Sequence, residues 1–395
     1  LDARELVDAA SALALAGKRL RLALGAGAGR WSRVAAEGEA EIAVALAETE
    51  SALEILGATL TVQAERSEDL ANCLARVQEF AARLARWRDP DSMEWVRWIE
   101  ASHTGWVIQA APLSVAEIFR GQVEGSGRAW IFTSATLAVN GDFSHYQAQM
   151  GLAEAQAACW DSPFDYATQA LLCVPRGLPA PSDARHTEAV VDAAVQVLRA
   201  SGGRAFLLFT TLRALEKARS LVADGFAREG LDFPLLVQGE SSRSELLERF
   251  RELGNAVLLG SQSFWEGVDV RGDALSLVVI DKLPFAPPDD PVLAARLAAI
   301  ERAGGNGFMS FQVPAAAISL KQGAGRLIRS ETDRGVLLIC DPRLVDKPYG
   351  KRLWRSLPPM RRSRELGDAI AFFRDHQNFH QGLSSDLAGA AAEVT

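Results

Sequence analysis

The chain has 395 residues, of which 48% are hydrophobic and 23% charged, and its formal net charge is −8 at pH 7. This composition is typical of a globular protein of roughly two or three domains, and it excludes a disordered chain, a fibrous chain and a globally basic nucleic-acid coat. No apolar run approaches the roughly 18 residues of a membrane span, and the start lacks the order of a signal peptide, so we expect a cytoplasmic protein without a membrane segment.

The four cysteines stand far apart in the sequence and form no Cys-x-x-Cys pair. They are Cys73, Cys159, Cys173 and Cys340. This spacing argues against a disulfide scaffold or a zinc site and fits a reducing compartment. His376 and His380 have helical i, i+4 spacing, but no third ligand accompanies them, so we expect no metal site.

Residues 1–92 have the composition and spacing of an all-helical module. They are rich in Ala, Leu and Glu, and segments such as SALEILGATL and LANCLARVQEFAARLARW place apolar residues at helical intervals. GAGAG at 25–29 follows no strand and precedes no Lys-Ser or Lys-Thr, so it predicts a linker and not a phosphate-binding loop. The first residue is not Met, and we interpret the chain as a piece of a longer polypeptide.

Residues 93–160 contain short segments that are β-branched and aromatic, as strands are. EWVRWIEA and GWVIQAAPL predict two strands, and AWIFTSATL at 129–137 predicts an apolar strand that ends in small hydroxyl residues. Trp95, Trp98 and Trp106 have rings suited to stacking on nucleic-acid bases, but we favour packing against neighbouring elements as their role.

After Pro163, apolar strands alternate with amphipathic helices. We predict strands at 204–211, 233–239, 256–262, 275–285 and 335–342, and helices at 186–200, 212–228 and 243–253. Continuous apolar strands separated by helices indicate an α/β domain at 161–370, with a parallel sheet covered on both faces. A C-terminal helix and tail follow at 371–395. Ligands of such sheets bind at the carboxyl ends of the strands.

Small hydroxyl residues recur at the ends of these predicted strands. They include Ser134, Thr136, Thr210, Thr211 and Ser263. Beside a helix start such residues donate to phosphate oxygens, but each also serves as an ordinary N-cap. Their recurrence at successive strand ends therefore favours a phosphate-binding edge, although any single one indicates only a cap.

Two arginines, Arg326 and Arg329, stand three residues apart in SLKQGAGRLIRSE. On a helix, residues with this spacing share one face, so both guanidiniums would reach the same target. One interpretation is a solvated basic face with Glu331 as a counter-charge, and the other is a clamp for an anion.

Charge is distributed unevenly along the chain. Residues 35–54 carry six glutamates and no Lys or Arg, whereas residues 343–364 carry eight basic residues against the single carboxylate of Asp346. A local basic patch binds phosphate backbone even in an acidic chain, although most such runs are only solvated surface.

Five segments, in order, carry a resemblance to a known family. TSATL, FTT, GSQSFWEGVDVRG, DKLPFAPPDDP and QGAGRLIRSETDRG resemble the successive motifs of superfamily 2 DNA helicases, within the XPD-like branch that includes bacterial DinG and YoaA. The resemblance covers about residues 129–345. It implies the carboxyl-terminal part of an ATP-dependent 5′→3′ DNA helicase that acts in repair or replication. It further implies an arch-like module at 1–92, the last strands of a first motor lobe at 93–160 and a RecA-like second motor domain at 161–370.

The resemblance also implies roles for single residues. Arg326 and Arg329 are arginine fingers for the γ-phosphate of ATP, and Gln322 couples the nucleotide state to the domain interface. Glu266 and Asp269 match an acidic pair that links the DNA groove to the nucleotide cleft. The implied nucleotide-binding glycines are Gly267, Gly323 and Gly325. The implied DNA-backbone contacts are Ser134, Thr136, Thr210, Thr211, Gln238 and Ser263.

The sequence departs from the family in three respects: it contains no G-x-x-x-x-G-K-[ST] motif, no DEAH box and no recognisable set of four cluster cysteines. We therefore expect this chain to be inactive alone, with ATP and Mg²⁺ bound only in an intact parent. A 4Fe-4S cluster is expected, if anywhere, upstream of these residues and not within them. Single-stranded DNA, the missing N-terminal motor lobe and a replication or repair accessory protein are the expected partners. The alternative is a non-catalytic nucleic-acid or protein interaction module.

Overall fold

The computed structural model describes residues 2–89, 94–261, 264 and 274–375, and these form two compact units. Within the described residues, the first unit takes in 2–125, 149–151 and 286–307, and the second unit takes in the rest. None of the helices in the described part of the chain combines the length and the apolarity that a membrane crossing requires.

The first unit combines long helices with a small sheet. Its elements up to residue 125 are α1 (Asp2–Ala23), β1 (Gly29–Ser32), α2 (Arg33–Gly38), α3 (Ala40–Gln63), α4 (Glu68–Arg88), β2 (Trp95–Ala101), β3 (Trp106–Pro112) and α5 (Ala116–Gly125). Leu20, Leu46 and Trp87 from α1, α3 and α4 meet in one core with Ile99 of β2. Ser67 caps α4 by accepting the N–H of Leu70 at 3.3 Å, so the helix begins where the sequence supplies a side-chain acceptor.

The helical character predicted for residues 1–92 is confirmed over the described residues 2–89 with one exception, the strand β1. It pairs antiparallel with β2, which pairs antiparallel with β3. The strand begins at Gly29, inside the stretch that we predicted as a linker, and Gly29 pairs with Ala101. A four-residue strand is too short for its alternation to be distinguished in the sequence, and its partner lies about seventy positions away, so only the tertiary structure shows it.

The remaining elements follow in chain order. They are α6 (Ser144–Met150), α7 (Tyr166–Gln169), β4 (Ala170–Cys173), α8 (His186–Ser201), β5 (Ala205–Phe209), α9 (Leu212–Glu229), β6 (Leu235–Val237), α10 (Arg243–Leu253), β7 (Val257–Ser261), β8 (Leu277–Ile280), α11 (Pro291–Arg302), α12 (Val313–Ala324), β9 (Gly335–Ile339), α13 (Arg343–Asp346), α14 (Gly350–Ser356) and β10 (Arg361–Ser363). Residues 366–375 form a further helix.

The second unit is built on a seven-stranded sheet with the order β10-β4-β9-β8-β5-β7-β6. Every strand pair in this sheet is parallel. Successive residues of a strand face opposite sides: Phe206 of β5 packs in a core with α10 and α12, and Leu207 packs in a second core with α8 and α9. The predicted α/β fold with a doubly covered parallel sheet is confirmed.

The sheet contains two strands that the sequence pattern does not predict, β4 and β10. β4 follows α7 without a break, and β10 is a basic three-residue segment whose Arg361 pairs with Leu171 of β4. Both strands are too short to show a period, and the polar composition of β10 is that of surface. The predicted strand at 275–285 also shortens, because only Leu277–Ile280 has a neighbour on each side.

Residues 129–134 are not a strand, contrary to the prediction. Trp130 and Ile131 are exposed, Ile131 to 86%. A parallel strand is held by hydrogen bonds to its neighbours, and the described part of the chain places no strand beside this segment. Apolar composition is therefore not sufficient to form a strand at this position.

The segment between β8 and α12 belongs in part to the first unit, which includes residues 286–307. Asp290 caps α11 by accepting the N–H of Leu293 at 2.8 Å, and its carboxylate lies 3.9 Å from the guanidinium of Arg30. Arg296 donates from Nε to the carbonyl of Leu113 at 3.0 Å. The proline-rich stretch after β8 therefore leads into a helix that is tied to β1 and to the residue after β3.

Candidate nucleotide and nucleic-acid site

The carboxyl end of β8 carries a buried carboxylate, Asp281, which is 2% exposed. Its Oδ1 accepts the N–H of Thr210 at 2.9 Å and that of Lys282 at 2.7 Å. Burial raises the pKa of Asp281 to about 6, although these N–H donors act in the opposite direction. The carboxylate therefore fixes the turn between β5 and α9 from the neighbouring strand.

His186, the first residue of α8, contacts the main chain of Asp281 at the end of β8. Its Nε2 lies 3.1 Å from the carbonyl oxygen of Asp281, and its Nδ1 lies 3.0 Å from the carbonyl oxygen of Pro179. A carbonyl oxygen only accepts, so both contacts are hydrogen bonds only when both ring nitrogens carry a proton. The imidazole thereby links the loop before α8 to the carboxyl end of β8.

A second buried carboxylate, Asp341, follows β9 and holds the end of β8. Its Oδ2 accepts the N–H of Leu283 at 2.8 Å and a guanidinium N–H of Arg343 at 2.6 Å. Burial of Arg343 favours its neutral form, but the hydrogen bonds and charge of Asp341 outweigh this effect and raise the pKa of Arg343. Asp281 thus joins the end of β8 to the residue after β5, and Asp341 joins the segment after β9 to the segment after β8.

The structure gives each predicted DNA-contact residue near β5 and β6 a partner within the protein. Thr211 caps α9 by accepting the N–H of Ala214 at 3.2 Å, and the hydroxyl of Thr210 lies 3.4 Å from Asp281. Oε1 of Gln238 accepts the N–H of Ser261 at 2.6 Å. Because β5, β7 and β6 are adjacent, these side chains share one edge of the sheet.

The other predicted DNA contacts lie elsewhere or outside the described residues. Ser134 and Thr136 contact each other, with 3.2 Å between their hydroxyl oxygens, on the irregular segment after residue 128. Ser263 lies outside the residues that the structure describes, as do three residues of the next motif. These three are Glu266, Gly267 and Asp269.

Arg326 and Arg329 do not lie on one helix, so this part of the prediction is wrong. α12 carries Gln322 and the buried Gly323, and it ends at Ala324. Tight turns follow, in which the N–H of Arg326 donates to the carbonyl of Gly323 at 3.2 Å. The helix stops because Leu327 and Ile328 turn into the core, where each is at most 2% exposed. Both arginines are half-buried and flank this apolar pair.

Gly325 adopts an ordinary right-handed backbone conformation at the end of α12, with φ at −67°. A Cβ at this position would lie 3.2 Å from the carbonyl oxygen of Lys321. A side chain at this position would therefore need only a slight shift of that carbonyl, and no unusual torsion requires a glycine here.

A buried carboxylate that the sequence analysis missed, Asp333, organises the segment of Arg329. Its Oδ2 accepts the N–H of Arg329 at 2.7 Å and the N–H of Ser330 at 2.9 Å, and its Oδ1 accepts the hydroxyl of Ser330 at 2.7 Å. Gln169 donates from Nε2 to the carbonyls of Ser330 and Asp333 at 2.9 and 3.0 Å. An Asp three residues after a Ser, in a turn-forming run, was the available signal.

The guanidinium of Arg329 has a distinct electrostatic environment. Burial lowers the pKa of Arg329, the charge of Asp333 opposes this, and the charge of Arg251 on α10 adds to the lowering. Asp333 is therefore a carboxylate whose charge acts on Arg329. Arg251 is a second residue that the sequence analysis did not single out, because nothing in the helical pattern of α10 distinguishes it.

The cysteines lie in two environments. Cys73 and Cys159 are exposed, whereas Cys173 and Cys340 are buried on or just after the adjacent strands β4 and β9. Burial raises the pKa of the Cys173 thiol to about 12. In the described part of the chain, no three His, Cys, Asp or Glu side chains are grouped to hold a metal ion. His376 and His380, at which we expected no metal site, lie outside that part.

Comparison with known proteins identifies relatives of this chain. Residues 194–360 match the family described as Helicase C-terminal domain. The chain is 42% identical over 326 residues to the ATP-dependent DNA helicase YoaA of Escherichia coli (strain K12), across 82% of this chain and 50% of the relative. It is 41% identical over 257 residues to the ATP-dependent helicase DinG of Mycobacterium tuberculosis (strain ATCC 25618 / H37Rv), across 64% of this chain and 38% of the relative. The chain thus spans about half, or less, of the length of these relatives.

The fold also has a counterpart among solved structures. An apo structure of XPD superposes on 88% of this chain and 67% of its own, with a TM-score of 0.53 and 15% sequence identity. At this identity the likeness concerns the fold alone, and it identifies the parallel sheet of the second unit as RecA-like.

Proposed function

Because the chain carries the helicase C-terminal domain of an XPD-like superfamily 2 helicase of the DinG and YoaA type, we propose that it supplies the second motor domain of an ATP-dependent DNA helicase. In this proposal a first motor domain holds the nucleotide, and the present chain completes the site from the opposite side. Movement in the 5′→3′ direction and a role in DNA repair or replication belong to the same proposal.

The observation that carries the proposal is the anchoring of Arg329 through its backbone. The carboxylate of Asp333 accepts the N–H of Arg329, and the side-chain amide of Gln169 donates to the carbonyls of Ser330 and Asp333. A guanidinium that stabilises a transition state must be placed within a fraction of an ångström, so it needs a rigid base that does not depend on its own charge. The bonds of Asp333 and Gln169 to the main chain provide such a base.

ATP bound with Mg²⁺ supplies the phosphoryl group whose transfer to water drives a helicase. In this chain Arg326 and Arg329 are the residues that would hold the γ-phosphate, because a guanidinium is always charged and offers a planar fork to phosphate oxygens. They stabilise negative charge as it develops on those oxygens. In this proposal Gln322, on the last turn of α12, couples the nucleotide state to the domain interface.

The buried carboxylates of the sheet edge do not fit a role as Mg²⁺ ligands. Asp281 accepts two backbone N–H groups, and Asp341 accepts a backbone N–H and the guanidinium of Arg343. Their oxygens are therefore committed within the protein, whereas Mg²⁺ is held by carboxylates that face phosphates and water. We assign the metal to the first motor domain.

For DNA, we propose that the edge formed by β5, β7 and β6 contacts the backbone of a single strand. Thr211 is exposed at the start of α9. At the same edge, Asp281 accepts the N–H of Thr210, and the side chain of Gln238 accepts the N–H of Ser261. Hydroxyl and amide groups of this kind contact phosphate and sugar, and they do not read base edges. Binding with little sequence preference is therefore expected.

The test is DNA-stimulated ATP hydrolysis by the complete product of the gene. We expect hydrolysis that rises with single-stranded DNA and that Arg329→Ala abolishes, with Arg199→Ala as the matched control, since Arg199 is an exposed partner of Glu229. If the gene encodes no P-loop and no DEAH box, or if Arg329→Ala hydrolyses ATP normally, the proposal is wrong. The chain would then be a non-catalytic interaction module.

A further inference from the structure

α14 presents a row of cations to solvent. Its inner side is formed by Gly350 and by Leu353, which is fully buried. The exposed side carries Lys351, Arg352 and Arg355. Residues 351 and 355 are one helical turn apart, and residues 352 and 355 are three positions apart, so the three side chains leave the helix on one face.

Two further cations extend this face. Lys347 is exposed in the turn before α14, where the N–H of Gly350 donates to its carbonyl at 2.9 Å. Arg362 of β10 lies 4.8 Å from the ring centre of Trp354 and donates to the Trp354 carbonyl at 3.2 Å. We call these five residues the basic patch: Lys347, Lys351, Arg352, Arg355 and Arg362.

Carboxylates near the basic patch do not neutralise it. Asp346 lies 3.8 Å from Arg364, which is outside the patch. Asp142 has a lowered pKa chiefly because Ser144 donates to it, and Arg352 makes a smaller contribution from a distance. Among the residues that the structure describes, Lys347, Lys351 and Arg355 have no carboxylate within ion-pairing distance.

The helical surface of α8 and α9 behaves differently. Four of its five Lys and Arg residues each have a carboxylate within about 3.3 Å, whereas the fifth, Arg213, is exposed and has no ion pair among the described residues. The pairs are Arg199–Glu229, Lys217–Glu188, Arg219–Glu240 and Arg228–Asp192. In a chain with a net charge of −8, cations left unpaired beside one another raise the electrostatic energy of the surface, and a bound polyanion relieves that energy.

We propose that the basic patch binds the phosphodiester backbone of DNA, at a place separate from the edge formed by β5, β7 and β6. Neighbouring cations on α14 have Cβ atoms about 5 to 6 Å apart, which suits contact with successive phosphates of one strand. The face of Trp354 is covered by Arg362, so the patch has no ring for base stacking and reads no sequence. The choice of DNA as the polyanion rests on the proposed function.

The test compares two variants with the same change in net charge. The patch variant combines Lys347→Gln, Lys351→Gln, Arg352→Gln and Arg355→Gln. The control variant combines Arg199→Gln, Lys217→Gln, Arg219→Gln and Arg228→Gln. Arg362 is left intact in both variants because it packs on Trp354. Binding of a fluorescent oligo-dT to the full chain is followed by anisotropy over a series of KCl concentrations, and urea unfolding verifies that both variants fold.

The slope of log affinity against log salt is the discriminating measurement. Each phosphate neutralised contributes about 0.7 to this slope for a single strand, so loss of four contacts should reduce its magnitude by about 3 in the patch variant. The control variant should keep the wild-type slope. An unchanged slope in the patch variant, or an equal loss in both variants, overturns the proposal.

Two further outcomes separate this inference from others. Loss of binding to poly-glutamate, with DNA binding intact, would assign the patch to an acidic protein and overturn the DNA assignment. In the complete gene product, the patch variant should keep its maximal ATP hydrolysis at saturating DNA, because the patch has no part in phosphoryl transfer. If the proposed function is wrong, the complete gene product will not hydrolyse ATP. If only the assignment of the basic patch is wrong, hydrolysis will be normal and the patch variant will keep the wild-type slope of log affinity against log salt.

Discussion

The carboxylate of Asp333 accepts the main-chain N–H of Arg329 at 2.7 Å, so a buried acid holds the residue that we propose as an arginine finger. The same side chain accepts the N–H and the hydroxyl of Ser330 at 2.9 and 2.7 Å. It is 5% exposed, which leaves water little access to these donors. The geometry of Arg329 therefore depends on a residue whose own role is structural.

Replacement of Asp333 by Ala should destabilise the chain by about 2 to 4 kcal/mol, because two backbone N–H groups lose their acceptor in a buried setting. Asp333→Asn retains one acceptor oxygen and should cost less. The measurement is urea unfolding of the two variants beside wild type. Asp224→Ala, at an exposed position on α9, is the control and should stay within about 0.5 kcal/mol of wild type. Equal stabilities for Asp333→Ala and the control would show that the bonds to Asp333 do not hold the segment.

Asp281 predicts a specific dependence of stability on pH. Its pKa in the folded chain is about 6, against an ordinary value of 3.8. Between these values the folded chain binds more protons at this site than the unfolded chain, so the stabilisation is complete below about pH 4 and is lost as the pH rises through about 6. At 1.36 kcal/mol for each unit of pKa, the loss is about 3 kcal/mol.

The variant Asp281→Asn isolates this effect. Its amide oxygen accepts the N–H groups of Thr210 and Lys282, as the Asp281 Oδ1 does, and its amide nitrogen donates to the Thr210 hydroxyl. We expect the variant to lack the decline in unfolding free energy between about pH 4 and pH 6, and to be at least as stable as wild type at pH 8. Chemical unfolding at half-unit pH steps measures this. A parallel pH profile for both proteins would contradict the assignment to Asp281.

Gly350 makes a close approach that tests the packing of α14. A Cβ at this position would lie 2.2 Å from the carbonyl oxygen of Leu344, so Gly350→Ala requires a shift of backbone and should cost about 1 to 3 kcal/mol. Gly367→Ala is the matched control, since Gly367 is helical and a Cβ there meets no atom within 4 Å. The control should gain up to about 1 kcal/mol, because Ala is the better helix former. Thermal unfolding that ranks the two variants in the reverse order would refute this packing.

Local signals predicted much of the parallel-sheet domain. β5, β7 and β9 are buried on both faces and form continuous apolar runs, which the sequence shows directly. The bounds of α9 agree with the prediction within a residue because Thr211 caps its start and Gly230 ends it in a left-handed conformation. The ends of such elements are predictable because the residues that cap them are visible in the sequence.

The parts that depend on distant partners were not predictable from local patterns. The anchor of the Arg329 segment comes from Gln169, 161 positions before Ser330. The helical arrangement of Arg326 and Arg329 failed because burial of Leu327 and Ile328 outweighs the helical continuation suggested by spacing. The segment at 129–134 failed for the opposite reason, since its apolar residues find no neighbouring strand among the described residues.

In the candidate site, too, some residues were predictable from the sequence and others were not. The resemblance to helicase motifs led to Arg326, Arg329 and Gln322, but not to Asp333, whose function is visible only in its hydrogen bonds. Thr210, Thr211 and Gln238 lie together at one sheet edge, as the strand-end argument requires. Their contact with DNA stays a prediction.

Arg326→Ala and Arg329→Ala provide the final test, in the complete gene product. Each should lower DNA-stimulated ATP hydrolysis by roughly 10³- to 10⁵-fold while leaving DNA affinity intact, because an arginine finger acts on the phosphoryl group and not on the strand. This range corresponds to about 4 to 7 kcal/mol of activation free energy at 1.36 kcal/mol for each tenfold change. Arg326→Lys and Arg329→Lys should not restore the rate, since an ammonium lacks the bidentate fork. Steady-state hydrolysis and a DNA titration are measured on the same preparations. If the alanine variants keep more than about a tenth of the wild-type rate, the loss is below the 1.36 kcal/mol of one tenfold step, and the assignment of Arg326 and Arg329 as arginine fingers is wrong.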